Sequence, residues 1–168
     1  MTVELRPITL EDTDNIIKWR NASDVKHFLF SQKNITKKQH VQYFNNSIKT
    51  GKVVQFIIVS DGIDCGTAFL KNIDPFLKEA EYGIFIGIPS FRGKGLSTIV
   101  TKRIIDYGFS FLGLKRIYLS VFKDNISAIK SYKKAGFIEQ RIIEKGYKRV
   151  NVYYDIVEMS IFSTNIFA

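Results

Sequence analysis

Cysteine is nearly missing from this chain. Cys65 stands alone, which excludes a disulfide framework and a cysteine-rich metal site. Histidine is almost as scarce: His27 and His40 lie thirteen positions apart with no ligand spacing between them, so no metal is expected. No apolar run approaches the length of a membrane span, and the first residues lack the basic-then-apolar order of a secretory signal. Repeats, low-complexity tracts and internal linkers are also missing. The expectation is one cytoplasmic domain that keeps off the membrane. Its 168 residues suffice for a real core but leave no room for a second domain, and 45% hydrophobic with 14% aromatic content is globular.

Acidic residues are outnumbered, 16 against 25 Lys and Arg, for a net charge of +9. Nucleic-acid binding needs basic residues clustered on one face with aromatics between them. Here the lysines are strewn along every segment and arginines number only seven. That reads as a solvated surface, and no nucleic-acid partner is expected. A polyanionic small molecule would still profit from the positive field.

Residues 2–8 read as a strand. Thr9 with Asp12 opens a helix through about Arg20, and residues 21–35 are irregular and rich in polar and aromatic groups. Thr36 with Gln39 is a capping box that starts a helix through about Lys49. Val53–Val59 and Asp64–Leu70 form a hairpin about Asp61-Gly62. Asn72–Lys78 is a loop before a strand at Glu79–Ile86. A long helix follows, with Leu96, Val100, Ile104, Tyr107 and Phe111 as its sheet-facing stripe. Lys115–Phe122 alternates as a strand. Asn125 caps a short helix that Gly136 ends, and Phe137–Ile143 and Val152–Ile161 close the chain as strands around a basic loop at Gly146. The fold class is α/β (α+β): one domain with a mixed, largely antiparallel sheet flanked by helices on both faces.

Arg92-Gly93-Lys94-Gly95-Leu96-Ser97 is the most telling stretch. It lies between an apolar strand and a helix, where glycines let backbone N–H groups converge on an anion and the helix dipole adds attraction. Arg92 and Lys94 contribute charge. A nucleotide P-loop does not fit: Gly87 precedes Gly93-Lys94 by one residue too many, and Gly95 stands where a hydroxyl should bind magnesium. A dinucleotide fingerprint fits poorly too.

Thirty residues on, Asn125-Ile126-Ser127-Ala128-Ile129-Lys130-Ser131-Tyr132 runs through to Gly136-Phe137. Together the two segments resemble the GNAT superfamily of acyl-CoA-dependent N-acetyltransferases, the first as the pyrophosphate loop (Gln/Arg-x-x-Gly-x-Gly/Ala), the second as Asn-x-x-Ala-x-x-x-Tyr-x-x-x-Gly-Phe. The resemblance covers most of the chain and implies acetyl-CoA as cosubstrate. It places Arg92, Gly93, Lys94, Gly95, Leu96 and Ser97 at the pyrophosphate, Asn125 at the cofactor arm, and backbone groups of Ile84, Phe85 and Ile86 along the pantetheine. Ser97 departs from the pattern's last Gly or Ala, with a hydroxyl expected to face the pyrophosphate. Tyr132, seven residues after Asn125 and on the same helix face, matches the tyrosine that protonates the departing thiolate.

A base is harder to name. Glu81 either draws the amine's proton through water, or holds a cationic substrate, or is a plain surface glutamate. His40 is the other titratable candidate. Trp19-Arg20-Asn21, the aromatic stretch His27, Phe28, Phe30 and the segment His40–Phe44 resemble N-acetyltransferases of UDP-linked 4-amino sugars, which implies Arg20 and His40 as sugar-nucleotide residues. Asp155 fits the Tyr-x-Asp pattern near that family's end, whereas Phe69 and Ser120 replace polar or acidic cavity residues. The expected partner is therefore a small-molecule amine, with a sugar nucleotide first and ribosomal N-termini or polyamines as alternatives; a homodimer is allowed for. An acyl-CoA-binding module without catalysis would have no need of Tyr132.

Overall fold

The computed structural model describes residues 1–164. Its strands are β1 (Val3–Pro7), β2 (Val54–Ser60), β3 (Ile63–Asp74), β4 (Glu79–Ile86), β5 (Arg116–Phe122), β6 (Ile138–Arg149) and β7 (Val152–Phe162). They form one sheet in the order β1-β2-β3-β4-β5-β7-β6. Every pairing is antiparallel except β4 with β5. That parallel ladder is short: Glu79 pairs with Arg116, Ala80 with Ile117 and Glu81 with Tyr118. Beyond it β4 keeps its register with β3 out to Ile86 opposite Gly66, and β5 keeps its register with β7 out to Phe122 opposite Ile156. Each strand follows its outer neighbour, and the accumulated twist of the two half-sheets draws them apart.

The helices are α1 (Thr13–Asn21), α2 (Ser23–Lys26), α3 (Lys37–Tyr43), α4 (Leu96–Ser110) and α5 (Ile126–Ala135). α4 and α5 cover one face of the sheet. There Leu96, Val100, Ile104, Ile129 and Tyr132 pack with Ile58, Leu70, Ala80, Tyr82, Ile117 and Leu119. Full burial of each such aliphatic side chain contributes roughly 1.5–3 kcal/mol. On the opposite face a smaller cluster joins Ile16 and Trp19 of α1 to Ile8 and Ile57, with Phe44, Ile48 and Phe85 packed around it. No helix among the described residues is long and apolar enough to cross a membrane.

Most expected elements are present, with local corrections. The Asp61-Gly62 turn has both residues at positive φ (49° and 78°), the geometry that suits a two-residue hairpin. The capping box is made: Thr36 Oγ1 accepts from Gln39 N at 3.2 Å and Gln39 Oε1 accepts from Thr36 N at 2.9 Å. The expected loop from Asn72 begins later, because β3 continues to Asp74 through an irregularity with Asn72 at φ 50°. Residues 21–35 include the single turn α2. Gly146 lies not in a connecting loop but at a bulge within β6, beside Lys145 at φ 51°, whose N–H bonds Asp155 Oδ1 at 2.9 Å. Phe111 does not face the sheet: it is 80% exposed, one residue past the end of α4.

His40 is buried in the packing of α3 on α1. Its Nδ1 lies 3.0 Å from Thr13 Oγ1, and that hydroxyl donates to Leu10 O at 2.7 Å, so Nδ1 carries the proton. Burial lowers the pKa of the imidazole against the opposing charge of Asp12. The unfolded chain therefore holds more protons than the folded one once pH falls toward the ordinary histidine value, and folded-state stability declines from there downward. The melting temperature of the protein should drop between pH 7.5 and 5.5. His40→Gln should flatten that drop, and an equally steep drop in the variant would assign the effect elsewhere.

Candidate active site

The gap between β4 and β5 leaves main-chain groups unpaired. Gly87 N–H bonds Cys65 O on β3 at 2.8 Å, whereas Ile86 O turns away and accepts from Arg92 Nε at 3.0 Å. Because successive residues of a strand direct their N–H and C=O groups to opposite sides, Ile84 shares the outward direction of Ile86. Phe85 does not. Its main chain faces Thr67 of β3 and its side chain joins the α1 cluster, which corrects the expectation that all three residues line the opening.

Gly93 and Gly95 have φ values of 73° and 80°, and a Cβ built on either would find nothing within 4 Å. The space above the loop is thus open, and the backbone follows a path that only glycine takes without strain. α4 begins immediately afterward, and the N–H groups of its first turn have no intrahelical acceptor. Leu96 is buried, so what it can offer an anion is its N–H. Lys94 is exposed. This arrangement fits a diphosphate: an open concavity, free N–H groups and a helix N-terminus.

Arg92 is placed differently from the expectation. Its Nη1 bonds Asp24 Oδ2 at 2.6 Å, and its remaining nitrogens reach the Ile86 and Gly87 carbonyls. The hydrogen bond from Arg92, aided by its charge, holds the Asp24 carboxyl below its usual pKa. Arg92 therefore braces the loop against α2 and the end of β4. Ser97 is corrected as well. Its hydroxyl meets Ser131 Oγ at 2.8 Å, and Thr98 Oγ1 meets the same atom at 3.0 Å, so the departure from Gly/Ala stitches α4 to α5.

Asn125 caps α5 through Oδ1, which accepts from Ala128 N at 3.3 Å. Gly136 ends the helix at φ 110°. Tyr132 lies on the buried side, edge-on to Tyr82 with ring centroids 6.1 Å apart and near Phe137 at 6.0 Å. Among the described residues its hydroxyl has no hydrogen-bond partner, and burial pushes its pKa up to about 12. It is thus a protonated phenol throughout the neutral range. Its neighbour Tyr82 is already committed: Thr101 donates to Ser97 O at 2.7 Å, so Tyr82 donates to Thr101 Oγ1 at 2.9 Å.

The other face of the gap carries Glu81, whose two carboxylate oxygens meet Lys71 Nζ at 3.2 Å and Asn72 Nδ2 at 2.8 Å. Tyr118 stands opposite it in register, with a pKa raised by burial and by the nearby charges of Glu81 and Glu79. Phe69 lays its ring across Gly83, where a Cβ would come within 2.3 Å of it, and Trp19 does the same at Gly87 within 2.0 Å. Arg20 donates from Nη2 to Ser31 O at 3.1 Å, while its Nη1 is buried with no hydrogen-bond partner among the described residues. Burial lowers its pKa. His40, 3% exposed and bonded at the far end of α1 from Arg20, is not brought to this face. Asp155 is spent on Lys145 N and Lys123.

Sequence reasoning missed Asp24, Ser131, Tyr147 and Arg149. Ser131 fills a variable position of the second segment and the other three lie outside both motifs, and each acts through a partner between 34 and 122 positions away. The Trp19-Arg20-Asn21 run was visible, but not that Asn21 exchanges two 2.9 Å bonds with the main chain of Ile35.

Residues 2–138 match the acetyltransferase (GNAT) domain family. The spermidine N(1)-acetyltransferase of Escherichia coli K12 is 30% identical over 96% of this chain and 86% of its own length. The acetyltransferase PseH of Campylobacter jejuni is 30% identical over 73% of this chain and 74% of its own. The crystal structure of Vibrio cholerae spermidine N-acetyltransferase with CoA and spermine superposes at a TM-score of 0.88, with 25% identity over 95% of each chain. The family model and the relatives agree: the chain belongs to the GNAT acetyltransferases and is an acetyl-CoA-dependent N-acetyltransferase.

Proposed function

We propose that the acceptor is the primary amine of a nucleotide-linked amino sugar, with Tyr132 as general acid. Bound acetyl-CoA supplies an activated thioester and, on transfer, a thiolate that needs a proton. The main-chain N–H groups from Gly93 to Ser97, with the charge of Lys94, hold the pyrophosphate, and Arg92 keeps that loop braced. Ile84 and the N–H of Ile86 pair with the amide-bearing arm in the gap, and the free Nδ2 of Asn125 meets it from α5. Tyr132 gives its proton to the sulfur. Its high pKa keeps the proton in place until charge develops there. Glu81, fixed by Lys71 and Asn72, takes the amine's proton through water on the opposite side of the sheet.

The charge of the acceptor face carries this reading. Its carboxylates are neutralised, Glu81 by Lys71, Glu79 by Arg116 and Asp24 by Arg92. Among the described residues Arg20 has no carboxylate partner and one unused buried nitrogen. Such a face repels a polycation and suits an acceptor carrying phosphates, which a guanidinium engages two oxygens at a time. A polyamine acceptor is the second reading. The near full-length similarity to a spermidine acetyltransferase favours it.

Three measurements check these assignments. Tyr132→Phe keeps the ring and removes the proton, so kcat should fall about a hundredfold or more, in the usual range for general acid catalysis, with little change in CoA affinity; unchanged turnover would return Tyr132 to the core. Gly95→Val forces a β-branched residue to positive φ, a strain of about 1–2 kcal/mol, and covers the open N–H groups. Its dissociation constant for acetyl-CoA by calorimetry should rise at least about tenfold. Finally, acetyl transfer should be faster with a UDP-linked 4-amino sugar than with spermidine, and Arg20→Lys should raise KM for the sugar nucleotide alone. Turnover of spermidine and of no amino-sugar nucleotide would put the polyamine reading in its place.

A further inference from the structure

In the loop between α2 and α3, the carbonyl oxygens of residues 27–31 accept from several side chains. Gln32 Nε2 bonds Lys26 O and Leu29 O at 2.6 and 2.7 Å, and Arg20 takes Ser31 O. Further holds come from the other end of the chain. Arg149, the last residue of β6, donates from both terminal nitrogens to His27 O at 3.2 Å and from Nη2 to Leu29 O at 3.1 Å. The Tyr147 hydroxyl donates to Phe30 O.

Arg149 lies between two rings, its guanidinium carbon 5.1 Å from the Phe122 centroid and 5.0 Å from that of Tyr154. No carboxylate pairs with it among the described residues. It is thus a cation stacked on aromatics whose two terminal nitrogens serve one loop, while its buried Nε has no hydrogen-bond partner among the described residues. The Phe30 ring packs on Phe122 at 4.8 Å and on Tyr147 at 5.3 Å. Phe122 ends β5, beyond the three residues that pair with β4, on the face that also carries Tyr118. The clamp therefore fixes a stretch of main chain over the mouth of the gap, on the side away from α4.

We propose that Arg149 is a positioning residue for the acceptor amine. From the tip of the β6–β7 hairpin it holds residues 27–31 in the shape that forms the acceptor-side wall, and so governs acceptor affinity rather than acetyl transfer. This rests on the reading that the amine enters on the α1 face, but not on which amine it is. A lysine keeps the charge but lacks the fork that grips two carbonyls at once.

The test is Arg149→Lys, with Tyr147→Phe as a milder second variant that removes one hydroxyl from the same clamp. Amide hydrogen exchange reads the clamp without any substrate, since the N–H groups of His27, Phe28 and Leu29 are bonded to Ser23, Val25 and Lys26. Exchange there should quicken about tenfold or more in Arg149→Lys, with the α4 and α5 amides unchanged. KM should rise about tenfold for the amine, measured with a UDP-linked 4-amino sugar and with spermidine, while kcat and KM for acetyl-CoA stay within about twofold. Unchanged exchange at 27–31, or quicker exchange with an unchanged amine KM, overturns the proposal. So does a parallel fall in kcat, acetyl-CoA affinity and melting temperature, which would make Arg149 a general stabiliser. If only spermidine is turned over, the sugar-nucleotide reading falls while the clamp is still judged on spermidine.

Discussion

The parting of β4 from β5 is the constraint on which the rest of this structure depends. Two strands that pair in parallel over three residues and then separate leave a sheet with unsatisfied main chain in its middle. Such groups are costly to bury unpaired. Here one of them, Ile86 O, is met by Arg92, and the others face a gap that a ligand bearing amides can fill. The glycine loop sits at the end of the same strand, so the opening and the loop with its free N–H groups come from one continuous segment, Tyr82 through Ser97. Helices then cover both faces: α4 and α5 pack on one with Tyr132 in their buried seam, while α1 and the loop after it border the other.

That second side is built with little acidity to spare. The carboxylates of Glu81, Glu79 and Asp24 are each tied to a cation, and several polar side chains there serve to shape a loop. Arg20 illustrates the tension. It braces Ser31 O and also keeps a buried nitrogen unused, so it is part scaffold and still has a donor for something else. His40 shows the opposite outcome. A histidine in a suggestive stretch of sequence is enclosed between two helices, where its proton is assigned by Thr13.

How much was legible followed the range of the interactions. Caps, turns and strand alternation are local, so Thr36 with Gln39, Asp61-Gly62, Asn125 and Gly136 could be read directly. The glycine loop was legible for the same reason: positive φ at Gly93 and Gly95 is a property of the residues themselves. What could not be read was which side chain answers which across the fold. Ser97 looked free for a ligand until Ser131 was brought beside it, Arg92 until Asp24 was. Backbone direction was equally hidden, and Phe85 differs from its two neighbours only because it faces β3.

Phe69 and Gly83 lie side by side on adjacent strands, and the ring of one fills the space that a side chain at the other would need. The two positions therefore cannot drift separately. A methyl group at 83 arriving alone meets an aromatic ring, and a smaller residue at 69 arriving alone opens a hole in the floor beside Glu81. Descendants of this sequence that acquire a different acceptor by this route must pass through a poorly packed intermediate or change both residues together. The contact thus acts as a ratchet on how the floor can evolve, and as a coordinate pair for anyone redesigning it.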